Sequence, residues 1–339
     1  MKAVSKSFEH QHYDLAVQQL KNKIRQWAHQ QGVAWANNWT NILQCNNHKI
    51  VLCYLGDLIP NKIELTKLDQ QLGSVGKSLL VISDGFDQYK FDNIKILTHP
   101  ALWGLNKLHV DPSLILDIAS NPSKLFNCFM HRIDSGRQGW FYFLHINKLL
   151  DQGHVSFLLY QLPSVGVTGV ELFDKNHNEY LNTLPQFCEA YQQLRSIVPY
   201  QNFTENQSLV DKILDSRYSL VLDTYAAHDD NGAWFASEPV YRALMLPTIE
   251  LVFSQKNLLS KLKELKLEFY SGLEEIDQLH WTQRQQKLIE ILKSDSIDYH
   301  YNRLKEKALY NCSILESMLS TMPEFEEQVQ NLLQDFDFR

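Results

Sequence analysis

The sequence predicts an α/β protein built on two mostly parallel sheets. Two observations carry that prediction: short apolar runs alternate with amphipathic helical patterns along most of the chain, and LHVDPSLILDIASNPS, with two prolines and a turn-like end, marks a natural break in it. Strands separated by helices must run parallel, and parallel sheets are buried on both faces. The 339 residues suffice for two domains of ordinary size. With 44% apolar and 21% charged residues, neither disorder nor a coiled coil fits.

Taken in order, Tyr13, Val17, Leu20, Ile24 and Trp27 recur at helical spacing, and Gly32 supplies the stop. The run HKIVLCYLG at 48–56 reads as a strand. A helix marked by Ile63, Leu65, Leu68 and Leu72 follows, then the strands KSLLVIS at 77–83 and NIKIL at 93–97. Beyond the break, Leu125–Met130 reads as a strand, Gln138–Leu150 as a helix and His154–Leu159 as a strand; 161–208 lack clear periodicity. The pattern returns with SLVLDTY at 219–225, a polar loop, a helix from about Ser237 to Leu246, TIELVF at 248–253, a helix at 257–266 and a short strand LEFYS at 267–271. The remainder is helical. Phe325, Val329, Leu332 and Phe336 share a face of a final acidic helix that packing on either domain explains. The expected domains are 1–115, 125–315 and the terminal helix 316–339, with two Rossmann-like sheets.

A net charge of −7 removes the overall basic field that a polyanion needs, so general nucleic-acid binding is disfavoured; a local pocket for one small phosphate is compatible with it. The five cysteines, Cys45, Cys53, Cys128, Cys188 and Cys312, are scattered without a C-x-x-C pair, which argues against a disulfide framework or a zinc site. No apolar leader and no run of about 18 uncharged apolar residues occurs. The expectation is a cytoplasmic protein without a transmembrane segment.

Several motifs invite chemistry and explain little. GSVGKS at 73–78 ends like a phosphate-binding P-loop, but the loop needs another glycine at 71, where Gln stands, and Lys77 and Ser78 open a strand rather than a helix. His10 and His12 are two residues apart and cannot share a helix face. His228, Asp229 and Asp230 lie in a polar loop where solvated charge is ordinary, and the D-F-D at 335–337 belongs to the terminal helix. No metal site is expected.

Two segments are more informative. In NCFMHRIDSGRQGWFYFLHINKLLDQGHVSFL, 127–158, a buried strand empties through a polar turn into a helix that starts near Arg137. A guanidinium beside free backbone donors and the positive helix end suits a diphosphate; an Arg bonded to a carboxylate such as Asp134 is the plain alternative. In 219–253, Ser237 can cap a helix whose first turn holds Glu238 and Pro239.

Together these segments resemble the donor-binding domain of the α1,3-fucosyltransferase-like glycosyltransferases of the GT-B type. The likeness lies in the order strand, D-T-Y, polar loop, S-E-x-x-x-R-A-L, Pro, strand, in the strand-to-helix Arg, and in LLSKLKELKLEFYSGLEEIDQLHW at 258–281, with Asn311 matching an Asn near the family's end. It covers roughly 125–315, and no part of 1–120 shares a motif with the family. The resemblance implies two Rossmann-like domains facing a central cleft. It implies that Arg137 holds the donor diphosphate and Glu238 the nucleotide ribose, and that Asp223 and Thr224 stand where the family has Glu and Asn. The family's Lys after the Glu is Pro239 here. Arg242, one turn on, can replace that charge, or it can simply pair with Glu238.

The implied function is transfer of a sugar from a nucleotide-diphosphate donor to a glycan, lipid-linked glycan or protein acceptor, inverting and metal-independent, with no cofactor beyond the donor substrate. The enzyme would neutralise the leaving diphosphate and deprotonate the acceptor hydroxyl. Candidate bases follow predicted strands of the first domain and rank Asp84, His99, Asp57, each equally a turn-former. Trp103, Trp140 and Tyr160 can stack on sugar or fill core. A catalytically inactive, transferase-derived binding or scaffold protein is the alternative, motivated by Pro239. An unrelated two-domain α/β ligand-binding protein is the third reading.

Overall fold

The computed structural model describes residues 10–54, 62–83, 89–99, 115, 121–130, 135–157, 187–198, 200–203, 208–223 and 236–334. The chain divides into two compact units. One comprises Met1–Val110, Asp230–Tyr241 and Cys312–Arg339; the other comprises Asp111–Asp229 and Arg242–Asn311.

The first unit carries a parallel sheet of β1 (Ala34–Ala36), β2 (Lys49–Tyr54), β3 (Ser78–Ser83) and β4 (Ile94–Thr98), in sequence order. Alternation along the strands divides its side chains between two cores. Val51, Cys53, Leu80 and Ile82 meet Leu20, Ile24 and Ala28 of α1 (His10–Gln30) and Phe325, Val329 and Leu333 of the terminal helix (Met322–Gln334). Ile50, Leu52, Leu79 and Val81 meet Leu65 and Leu72 of α2 (Lys62–Ser74). The first sheet therefore receives the terminal helix, and Lys23 pairs with Glu326 at 3.0 Å across that junction. Helix α1 ends as its glycine predicts: Gly32 adopts φ +65°, its N–H donates to His29 O, and Val33 N–H donates back to Ala28 O at 2.8 Å. Strand β1 escaped the sequence reading, because three residues of Ala-Trp-Ala carry no usable alternation.

In the second unit the strand order is β7-β6-β5-β8-β9. These are β5 (Lys124–Met130), β6 (Gly153–Phe157), β7 (Tyr200–Gln201), β8 (Ser216–Leu222) and β9 (Ile249–Phe253), parallel except for the two-residue edge β7. Helices α3 (Ser135–Ile146), α4 (Phe187–Ile197) and α5 (Leu209–Leu214) lie between strands in sequence, as does α6 (Glu238–Leu244), whose residues up to Tyr241 belong to the first unit and from Arg242 to the second. After β9 come α7 (Leu258–Glu264), α8 (Leu273–Asp277), α9 (Trp281–Ser294) and α10 (Tyr301–Ser320), before the terminal helix, α11.

The expected strand LEFYS does not form. Side chains satisfy its backbone in place of a ladder: Asn311 accepts from Glu268 N–H at 2.8 Å and donates to Glu268 O at 2.7 Å, while the Glu250 carboxylate accepts from Tyr270 N–H. An apolar run shows that a segment is buried; it does not choose the partner of its peptide groups.

Close approach demands glycine at position 153. A Cβ on Gly153 would sit 2.7 Å from Phe126 O and 2.8 Å from its ring. Gly153→Ala is expected to lose about 1–3 kcal/mol of unfolding free energy by urea titration, because backbone on the neighbouring strand must yield.

At the N-terminal ends of these strands one carboxylate ties three segments together. Asp215 accepts from Ser123 Oγ at 2.6 Å and Ser123 N–H at 2.8 Å, and lies 3.0 Å from His154 Nε2. Serine and histidine both bind the acid and not each other, so this trio is a clamp rather than an activated nucleophile. Burial pushes the Asp215 carboxyl up, but the Ser123 and His154 hydrogen bonds outweigh it and hold the group below its ordinary 3.8. A depressed folded-state value means that the contribution is complete above pH 3.8 and is lost as pH falls through the folded value. Thermal melts of Asp215→Asn should lie below wild type near pH 7, with the gap closing on acidification; a gap constant from pH 7 to 2 would refute the assignment.

Candidate functional site

Strand order locates a crevice in the second sheet. From β5 the chain crosses to β6 on one side, and later places β8 on the other side. Parallel sheets bind ligands outside the carboxyl ends of strands where the order reverses in this way. Among its described strands the first sheet has no such reversal, since β1 to β4 lie in sequence order.

Arg137 and Asp223 stand on the two sides of that reversal. Arg137 occupies the first turn of α3, which follows β5, and its Nη2 donates to Leu222 O at 3.2 Å, the last residue of β8. Asp223 is next in the chain. Its N–H extends the ladder to Phe253 O at 2.9 Å, and its carboxylate, 7% exposed, accepts from Ser254 Oγ at 3.0 Å. The spacing that suggested an Arg at a helix start thus sets a partly buried guanidinium against the end of the adjacent strand. Beneath it, burial drives the Cys128 thiol far above its ordinary value despite the opposing Arg137 charge, so Cys128 stays a neutral core group.

Glu238 is the first residue of α6 and Arg242 lies one turn later. Ser237 O accepts from Val240 N–H at 3.0 Å, the opening bond of that helix. Burial pulls the Arg242 guanidinium down to about 10, still cationic at neutral pH. Trp140 is core: fully buried, its ring stands edge-on to Phe253 at 5.1 Å. Asp57, Asp84, Trp103, Asp134, Tyr160, Thr224, His228, Asp229, Asp230 and the D-F-D of 335–337 lie outside the described residues.

His99, just past β4, packs its ring 5.0 Å from that of Phe325, with Nε2 3.0 Å from Thr321 Oγ1. Thr321 gives its one hydroxyl proton to Met318 O at 2.7 Å, so Nε2 must be the donor in the His99 bond. Burial lowers the His99 pKa, and the imidazole is neutral at pH 7. The resulting arrangement ties the end of β4 to the start of α11.

Lys77 of the P-loop-like run is engaged elsewhere. Its ammonium donates to Leu43 O at 2.8 Å and Cys45 O at 2.6 Å, closing the segment before β2. Two cavities are lined by other residues: one of about 440 Å³ runs beside Arg25 and His29 of α1, another of about 330 Å³ beside Tyr270 and Tyr310.

Three residues around the end of β9 were not singled out from sequence: Phe253 and Ser254 at that end, and Arg284, which donates to Ser254 O. Arg284 is fully buried on α9, on one face with buried Leu288 and Leu292. A signal existed in that i, i+4, i+8 row, where a cation occupies an apolar stripe.

Fold and site define an α/β protein with parallel sheets, one of which presents a cation and a helix N-terminus at its point of strand reversal. Comparison with family models, with curated proteins and with solved structures returned no match. Among the described residues, no helix is long and apolar enough to cross a membrane.

Proposed function

We propose that the chain is a GT-B-type glycosyltransferase that moves a sugar from a nucleotide-diphosphate donor to a glycan, lipid-linked glycan or protein acceptor. The observation that carries this reading is the position of Arg137, in the first turn of a 12-residue helix at the β5/β8 reversal. The N–H groups of a helix start, the helix dipole and a guanidinium come together there, and a departing diphosphate needs that combination. The family resemblance assigns Glu238, the first residue of α6, to the nucleotide ribose, and Arg242, one turn on, to the charge lost with Pro239. The reading is metal-independent and inverting. The candidate general bases are Asp84, then His99, then Asp57, and each would take the acceptor hydroxyl proton.

Calorimetry against GDP-, UDP-, CMP- and dTDP-linked sugars tests the proposal. Saturable heat with one of them, transferred to an acceptor in a product assay, is the expected result. Pro239 motivates the second reading, an inactive transferase-derived binding or scaffold protein, which no heat from any donor would favour.

A further inference from the structure

Asp223 does not hold its orientation by itself. Its carboxylate accepts from Ser254 Oγ at 3.0 Å, and Ser254 is the first residue past β9. The Ser254 carbonyl in turn accepts from Arg284 Nη1, and that nitrogen lies 3.9 Å from Asp277 Oδ1. Asp277 is fixed at the start of α7, where its Oδ2 accepts from Leu259 N–H at 2.9 Å. The series is sequestered: Asp223 is 7% exposed, Asp277 2%, and Ser254 and Arg284 0%. The Arg284 guanidinium also covers the Phe253 ring at 5.7 Å, and the same ring meets Trp140 at 5.1 Å. Trp140 lies three residues beyond Arg137 on α3, so the two share a helix face. The residue pair that Arg284 grips, Phe253 and Ser254, therefore touches Asp223 directly and packs beside the helix that carries Arg137.

A buried guanidinium held this way is a poor device for stability alone, because well-packed apolar residues commonly serve as well or better. Its placement at the strand ends that form the crevice gives it another use. We infer that Arg284 is a positioning residue, which acts through Ser254 to set the Asp223 carboxylate at the β5/β8 crevice. The inference rests on the donor-site reading above and adds a specific support behind it. Arg284 and Ser254 touch no substrate in this scheme.

The test measures the affinity of GDP, UDP, dTDP and CMP for the full chain by calorimetry, with melting temperatures recorded in parallel. Ser254→Ala removes one hydroxyl and should weaken the nucleotide that wild type binds about tenfold, while the melting temperature falls by no more than a few degrees and the chain stays folded. Ser254→Thr should restore binding. In an Asp223→Ala background, Ser254→Ala should cause no additional loss, a non-additivity that a general packing defect does not produce. Arg284→Lys should mimic Ser254→Ala; if it unfolds, the serine pair decides. Should wild type bind a nucleotide and Ser254→Ala bind it equally well, or should the serine and aspartate effects simply add, the positioning role is overturned and the donor site stands. If wild type binds none of the four, the donor-site reading fails and takes this inference with it.

Discussion

Arg137→Ala should weaken nucleotide-sugar binding by at least tenfold and remove turnover with it, while far-ultraviolet circular dichroism stays that of the folded chain. The magnitude follows from the type of contact: a guanidinium on a phosphate oxygen is charge-assisted, about 1.5–3 kcal/mol. Losing the Arg137 hydrogen bond to Leu222 O, 3.2 Å long, costs about 1 kcal/mol, which lowers the melting temperature by a few degrees. Arg137→Lys retains charge without the planar fork and should fall between the two. Unchanged donor affinity in a folded Arg137→Ala protein would remove the central support of the proposed function.

The largest stability effect belongs to a different buried cation. Lys307 of α10 donates to the Glu250 carboxylate and, at 3.2 Å, to Thr248 O, with the lysine side chain 7% exposed and the glutamate 0%. Glu250 also accepts from Tyr270 N–H, so it holds α10 and the LEFYS segment to β9 at once. Glu250→Ala strands an ammonium and a peptide N–H in the core and should cost about 3–5 kcal/mol, read as the shift in the urea midpoint. Glu250→Leu combined with Lys307→Met should recover a large part of the loss, because it removes both charges together. Equal destabilisation by the single and the double variant would show that packing, not the buried pair, matters at this position.

How far the sequence was legible varies with the range of the interaction involved. Gly32, five residues beyond Trp27 at the end of a helical stripe, marked the end of α1, and the structure closes that helix with the positive φ and the paired carbonyl bonds that such a glycine permits. Apolar runs marked β2, β3, β5, β6, β8 and β9 within a few residues, since a strand buried on both faces leaves that record in its own composition. The same rule produced a false strand at 267–271. Burial there was real at Leu267, 2% exposed, but the partners of the Glu268 and Tyr270 peptide groups come from Asn311 and Glu250, neither of them close in sequence. Lys77 shows the converse. The failed glycine spacing argued against phosphate, yet nothing local indicated that its ammonium closes on Leu43 and Cys45.

The candidate site divides in the same way. Arg137 at a helix start and Glu238 at another were visible because helix boundaries are written in neighbouring residues. That Arg137 meets the end of β8 was not visible: whether the chain lays that strand beside β5 or at an edge is decided by long-range packing, and residues 216–222 carry no mark of it. Ser254 and Arg284 were missed for this reason also, their roles existing only once β9 and α9 are brought together. Spacings of two and 3.6 residues, which are properties of the chain's own backbone, prescribed where strands and helices form and which faces are apolar. Strand order, the reversal between β5 and β8, and the pairing of buried charges awaited the fold, because each depends on groups that meet only after distant segments have packed.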